Sequence, residues 1–190
     1  MVDFSLTFLA KDTAYLRSLL VSLKSIFPKK FINSFEGIQL INRLKSYVIS
    51  PPKEGQTAPL FVAKDVEDND VDLNKLNGKY ILLDFWATWC GPCMAAVPLV
   101  KKLRANFSSD SLVIIGINKD NDFNKFKKEI EQSKMNWRQI FDNKNIISSL
   151  YGVTAIPVTL LINKHGVIIY RSLGLSINNE KQIESFLKNN

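Results

Sequence analysis

The chain is poor in the residues that open alternative chemistries. Among 190 residues it holds two cysteines and one histidine. Two cysteines cannot build a disulfide scaffold. Cys90, Cys93 and His165 are also too few for a self-contained structural zinc site of four Cys or His ligands, so no metal is expected. No run approaches the ~20 apolar residues of a membrane span. Residues 4–10 are apolar but short, and they come after Asp3 with no basic stretch before them, which makes a poor signal peptide. A cytoplasmic chain and a mature or truncated form both fit. A concentrated charge is missing as well. The net charge is +7; residues 1–50 carry seven basic and three acidic side chains (+4), and residues 51–190 carry eighteen and fifteen (+3). The basic residues form no stripe with interleaved aromatics, so a nucleic-acid surface is not expected and a solvated exterior is.

What is present is ordinary core material, 46% hydrophobic residues, in a length that allows one full domain and an appendage. Residues 12–27 show helical spacing, with Tyr15, Leu16, Leu19, Leu20, Leu23, Ile26 and Phe27 on one face, a cap at Asp12 or Thr13, and Pro28 as a stop. Residues 34–48 repeat the pattern with Ile38, Ile41, Leu44 and Val48 after a Ser34 cap. Two such helices must pack on each other, on the downstream domain, or on something upstream. Residues 50–55 contain Pro51-Pro52 and read as a linker. The expected division is a helical segment and linker over 1–52 and a second domain over 53–190.

From residue 58 the pattern changes. An edge strand is expected over 59–63, an acidic turn over 65–72 with 71–73 pairing back, and a short helical turn over 73–78. Residues 80–86 read as a central strand, 93–107 as a helix kinked at Pro98, and 112–118 as a strand covered on both faces. Next come a helix over 122–133, a short strand over 137–141 and a helix over 145–151. Strands over 158–162 and 167–170 make a hairpin around Asn163-Lys164-His165-Gly166, and a helix over 178–187 closes the chain. Strands alternating with helices, then a hairpin, give an α/β fold: a mixed sheet flanked by helices, with an N-terminal helical extension.

The chain is organised around Asp84-Phe85-Trp86-Ala87-Thr88-Trp89-Cys90-Gly91-Pro92-Cys93. Both cysteines lie at a strand-to-helix junction. The first falls at a helix N-terminus, where backbone N–H groups and the helix dipole favour a thiolate. The second lies one turn on, within reach of a disulfide. Cys90 is therefore expected as the exposed, low-pKa thiol and Cys93 as the buried one, a pair suited to thiol–disulfide exchange. Asp84 stands in a core strand, where a carboxylate is costly unless neutral or paired. It either turns outward to donors or stays beneath the cysteines with a raised pKa. His165 reads as an exposed turn residue.

This string resembles the active site of the thioredoxin superfamily. The similarity extends to Pro98 and to Tyr151-Gly152-Val153-Thr154-Ala155-Ile156-Pro157, over roughly residues 55–190. The extra helix and strand between Asn118 and Tyr151 resemble the TlpA/ResA-like branch, which borders the AhpC/TSA-type peroxiredoxins. The resemblance implies a thioredoxin-like fold and a disulfide reductase. Cys90 would be the nucleophile, Cys93 the resolving thiol and Asp84 the proton acceptor for Cys93. Trp89, Gly91, Pro92, Ile156, Pro157 and Gly174 would form the substrate surface, with a cis Ile156–Pro157 bond facing the cysteines. It implies no cofactor beyond the Cys90–Cys93 disulfide, a disulfide-bearing protein substrate, an external thiol donor, a monomer, and an extracytoplasmic (periplasmic) setting for the C-terminal part of a longer protein. Two positions depart from the pattern. The glutamate that the branch carries three residues after the second cysteine is Ala96, and the lysine that thioredoxins place near the acid falls on Gly116. Two rivals are a thiol peroxidase, for which Thr88 precedes Cys90 but the Pro-x-x-x-Thr-x-x-Cys frame is missing, and a redox-sensing module whose helices bind a partner.

Overall fold

A computed structural model describes residues 13–48 and 51–188. The expectations for residues 4–10, for a cap at Asp12 or Thr13 and for Ser50 lie outside the described residues or side chains. Two amphipathic helices open the described chain, α1 (Thr13–Ile26) and α3 (Phe35–Val48). Between them lies a single turn, α2 (Lys29–Ile32), that hydropathy spacing did not show. Ser34 accepts the Gly37 N–H at 3.1 Å and so starts α3. Leu19, Leu20 and Leu23 pack on Leu44. Ile26 is 70% exposed instead of joining that face; the chain turns at Pro28 before anything can cover it. The other side of α3 lies on the downstream domain, against β1 (Val62–Lys64) and α6 (Ile146–Leu150).

β1 pairs antiparallel with β2 (Asp70–Asp72) as a separate two-stranded ribbon, so it is not an edge of the main sheet. A 3-10 turn, Leu73–Leu76, leads into β3 (Tyr80–Trp86). Then come α4 (Gly91–Asn106), β4 (Leu112–Asn118), α5 (Phe123–Gln132) and β5 (Arg138–Phe141). After α6 the chain ends with β6 (Val158–Ile162), β7 (Ile168–Ser172) and α7 (Ile177–Lys188). The main sheet has the order β5-β4-β3-β6-β7. β3 is central, parallel to β4 and antiparallel to β6. β4 is buried at all seven positions, which is why its sequence is almost wholly apolar.

Alternation along β3 divides the core. Ile81, Leu83 and Phe85 pack with Leu150 and Tyr151 on one side of the sheet. Leu82 packs with Ala96, Val100 and Leu103 of α4 on the other. Each large side chain buried this way contributes roughly 1.5–3 kcal/mol. α4 is thus fixed along its length across the face that Leu82, Asp84 and Trp86 share.

Candidate active site

β3 and β4 are parallel and end side by side, with Trp86 opposite Asn118. The loops that leave them build the site, at the carboxyl ends of the strands where open α/β sheets form crevices. After β3 the chain passes through Ala87, Thr88 and Trp89 to Cys90, the N-cap of α4. Pro92 in the first turn costs nothing there, because its missing N–H would have no partner in the helix. The helix runs from Gly91 to Asn106 without a break at Pro98.

Cys90 and Cys93 are joined as a disulfide, with Cα atoms 5.2 Å apart. The Cys93 N–H donates to Cys90 Sγ at 3.2 Å. Cys90 sulfur is therefore the cap acceptor of the helix, and Cys93 is not. The expected contrast in exposure is absent in this oxidised state: both cysteines are 5% exposed. Position at the helix end distinguishes them: Cys90 is the N-cap, and Cys93 lies within the first turn.

Asp84 lies on the α4 side of β3, between Leu82, which touches α4, and Trp86, which packs with Cys90, Cys93 and Val97. It is partly buried. Thr159 Oγ1 donates to its Oδ1 at 3.4 Å, a long bond. Burial pushes its pKa up to about 7, against the small opposing pull of Thr159. Such a group holds or releases a proton near neutrality. Gly116 of β4 stands directly opposite Asp84. Ala96 is buried against Leu82.

Of the predicted surface residues, Ile156 packs against the cluster that holds both cysteines. Trp89 is 69% exposed, Gly91 and Pro92 are exposed, and Ile156 and Pro157 are partly buried. The Ile156–Pro157 bond is cis. Gly174, with φ +82°, backs onto Pro157: a Cβ there would stand 3.0 Å from Pro157 Cγ. Beside it Leu173 is 87% exposed, an apolar neighbour of the site that sequence reading passed over. His165 is exposed in its turn, where its N–H donates to Asn163.

The end of β4 was also missed. Asp120, 3% exposed, accepts from the Thr88 N–H and the Thr88 hydroxyl, each at 3.0 Å, and from Asn118 Nδ2 at 2.7 Å. The hydroxyl weighed for peroxide chemistry is thus committed to a carboxylate. Lys119 extends the other way, donating to the Val153 carbonyl at 3.0 Å; burial lowers its pKa, countered by the charge of Asp142. One short segment therefore ties the cysteine loop to the loop that carries Pro157. Its only mark in the sequence is an Asn-x-Asp at a strand end.

Comparison with known proteins bears on this geometry. The profile of the AhpC/TSA family matches residues 55–171. "Thiol-disulfide oxidoreductase ResA" of Bacillus thuringiensis (strain Al Hakam) is 31% identical over 134 residues, covering 70% of this chain and 76% of the relative. The thioredoxin domain of a thiol-disulfide oxidoreductase from Bacteroides vulgatus superposes with a TM-score of 0.64 at 29% identity, over 72% of this chain and 99% of that one. A thiol:disulfide interchange protein DsbE from Chlorobium tepidum gives 0.65 at 27% identity, over 70% and 94%.

Proposed function

Because this chain belongs to the AhpC/TSA family and is a thiol:disulfide oxidoreductase, we propose that it works in the reducing direction on protein disulfides, with Cys90 as nucleophile, Cys93 as resolving thiol and Asp84 as proton acceptor. The observation that carries the assignment is the Cys93 N–H aimed at Cys90 Sγ from the first turn of α4. That donor and the helix N-terminus favour a thiolate at Cys90 alone.

The Cys90 thiolate attacks a substrate disulfide; a Cys90–substrate bond forms and the other substrate sulfur leaves as thiolate. Cys93 gives its proton to the Asp84 carboxylate and attacks Cys90 Sγ. The Cys90–Cys93 bond forms, the second substrate sulfur leaves, and two electrons have passed to the substrate. The remaining exposure of Asp84 lets the proton escape to solvent. An external dithiol returns the pair to the reduced state. Gly91-Pro92 between the cysteines favours a potential nearer thioredoxin's roughly −270 mV than the roughly −120 mV of DsbA.

Trp89, Gly91, Pro92, Ile156, Pro157 and Gly174 form the docking surface, and Leu173 extends it. An extended substrate segment lies against the backbone of Ile156. Resemblance to the TlpA/ResA-like branch supports an extracytoplasmic, monomeric protein with residues 53–190 as the catalytic domain. Among the described residues no helix is long and apolar enough to cross a membrane. Insulin reduction with a dithiol donor tests the direction, and Cys93→Ser in native extract traps substrates as mixed disulfides. Rapid oxidation of reduced insulin chains, without reduction of native insulin, would reverse the assignment.

A further inference from the structure

Four cross-strand neighbours form one row on the sheet face beneath α4: Thr159, Asp84, Gly116 and Gln139, from β6, β3, β4 and β5. Gly116 leaves a gap in the row, and Gln139 fills it. A Cβ on Gly116 would run into the Oε1, Cδ and Nε2 of Gln139, so the carboxamide lies over the glycine. Adjacent strands stand about 4.8 Å apart; the amide thus occupies the place next to Asp84 that a longer side chain on β4 would take. Gln139 is 1% exposed. An indole can only donate, which fixes the orientation of the amide. Its Oε1 takes the Trp86 Nε1–H at 3.0 Å, and its Nε2 points at Met135 Sδ at 3.5 Å. Trp86 and Met135 belong to the cluster that holds Cys90 and Cys93.

We propose that Gln139 is a positioning residue of the redox centre, which plugs the space over Gly116 so that neither water nor a charge enters on the β4 side of Asp84, and which holds Trp86 by its indole N–H against the cysteine pair. The proposal rests on the reading of Asp84 as proton acceptor. The row places uncharged groups beside Asp84, Thr159 from β6 and, over the bare backbone of Gly116, Gln139 from β5; from α4, Ala96 packs on Leu82 and Cys93 and Val97 on Trp86, the residues on either side of Asp84 on that face. Burial is accordingly the dominant influence on its proton, with no charged neighbour contributing. A space the size of a carboxamide, lined by a carboxyl and an indole N–H, is roomy and polar enough for a water. β5 therefore does more than widen the sheet: it delivers the side chain that keeps water from the β4 side of the acid.

The test is the carbon-13 carboxyl titration of Asp84 in the oxidised protein, which needs no turnover. It is read beside the pH profile of mixed-disulfide resolution. Gln139→Ala should lower the Asp84 midpoint by about one pH unit as water enters, and Gln139→Lys should lower it at least as far by placing a cation there. Gln139→Met, of similar volume, should keep the midpoint but change the Trp86 fluorescence. If the Ala variant does not fold, Gln139→Asn, one methylene shorter, opens the same space. A midpoint unmoved in the folded Ala (or Asn) and Lys variants overturns the proposal. Asp84→Asn separates the two ideas. If that variant keeps the wild-type rate profile, the proton-acceptor reading fails, while the carboxyl titration still judges Gln139.

Discussion

The carboxylate of Asp120 holds Thr88 twice, by its backbone N–H and by its hydroxyl, each at 3.0 Å. Thr88 lies two residues before Cys90, so this partly buried pair fixes the loop that leads to the proposed nucleophile. Removing one partner leaves donors buried without acceptors, at roughly 1–3 kcal/mol each. Asp120→Ala should lose about 3 kcal/mol in urea denaturation and slow alkylation of Cys90 in the reduced protein. Asp120→Asn keeps one acceptor oxygen and should fall between. A wild-type alkylation rate in a destabilised Asp120→Ala would confine the clamp to stability.

Asp84 makes stability depend on pH in a definite direction. Its folded pKa of about 7 lies above the ordinary 3.8, so between those values the folded state holds a proton that the unfolded state has released. The contribution is fully present below about 3.8 and is lost as pH rises through about 7. At about 1.4 kcal/mol per unit, the whole effect is on the order of 4 kcal/mol at most. Denaturation midpoints of the oxidised protein should therefore fall between pH 4 and 8. Asp84→Asn should flatten that slope, and an unchanged slope in the variant would assign it to other groups.

Equal burial of the two sulfurs in the disulfide makes reduction the informative state. Once reduced, Cys90 should be the thiol with a pKa below the free value of about 8.5. Alkylation mapped by mass spectrometry should label Cys90 first. Preferential labelling of Cys93 would exchange their roles.

Gly174 combines a left-handed backbone, φ +82°, with a close approach to Pro157. A methyl group there meets both constraints. Gly174→Ala should cost about 1–2 kcal/mol from the backbone alone. It should also raise KM for a protein disulfide while leaving exchange with a small disulfide nearly unchanged. Parallel loss of both activities would indicate damage to the cysteines and not to docking.

Lys119 and Val153 form the second tether of the same segment. Lys119→Met keeps the apolar stem and removes the donor. It should raise KM for a protein disulfide a few-fold and leave Cys90 alkylation untouched, whereas Lys119→Arg should restore binding. Equal kinetics in all three proteins would make the tether incidental.

The order of strands and helices from residue 58 onward was legible because each type carries its own period. The almost wholly apolar runs of β3 and β4 and the turn at Gly166 are local signals. The same holds for Cys90 and Cys93: a strand-to-helix junction is written in consecutive residues, and it alone decides which sulfur caps the helix. Other features depend on what meets across the sheet. The docking of α3 on β1 and α6 was settled by neighbours distant in sequence. The row Thr159–Asp84–Gly116–Gln139 joins four strands spread over 76 positions, and no period or motif links its members. A glycine in an apolar strand reads as a gap in hydrophobicity; only the sheet register shows that a glutamine fills it. Asp120 and Lys119 likewise look like surface charges at a strand end, until parallel pairing of β3 and β4 sets that end beside Thr88. The residues themselves dictated the chemistry of the pair, while packing across strands decided the surroundings of its acid and of its loops.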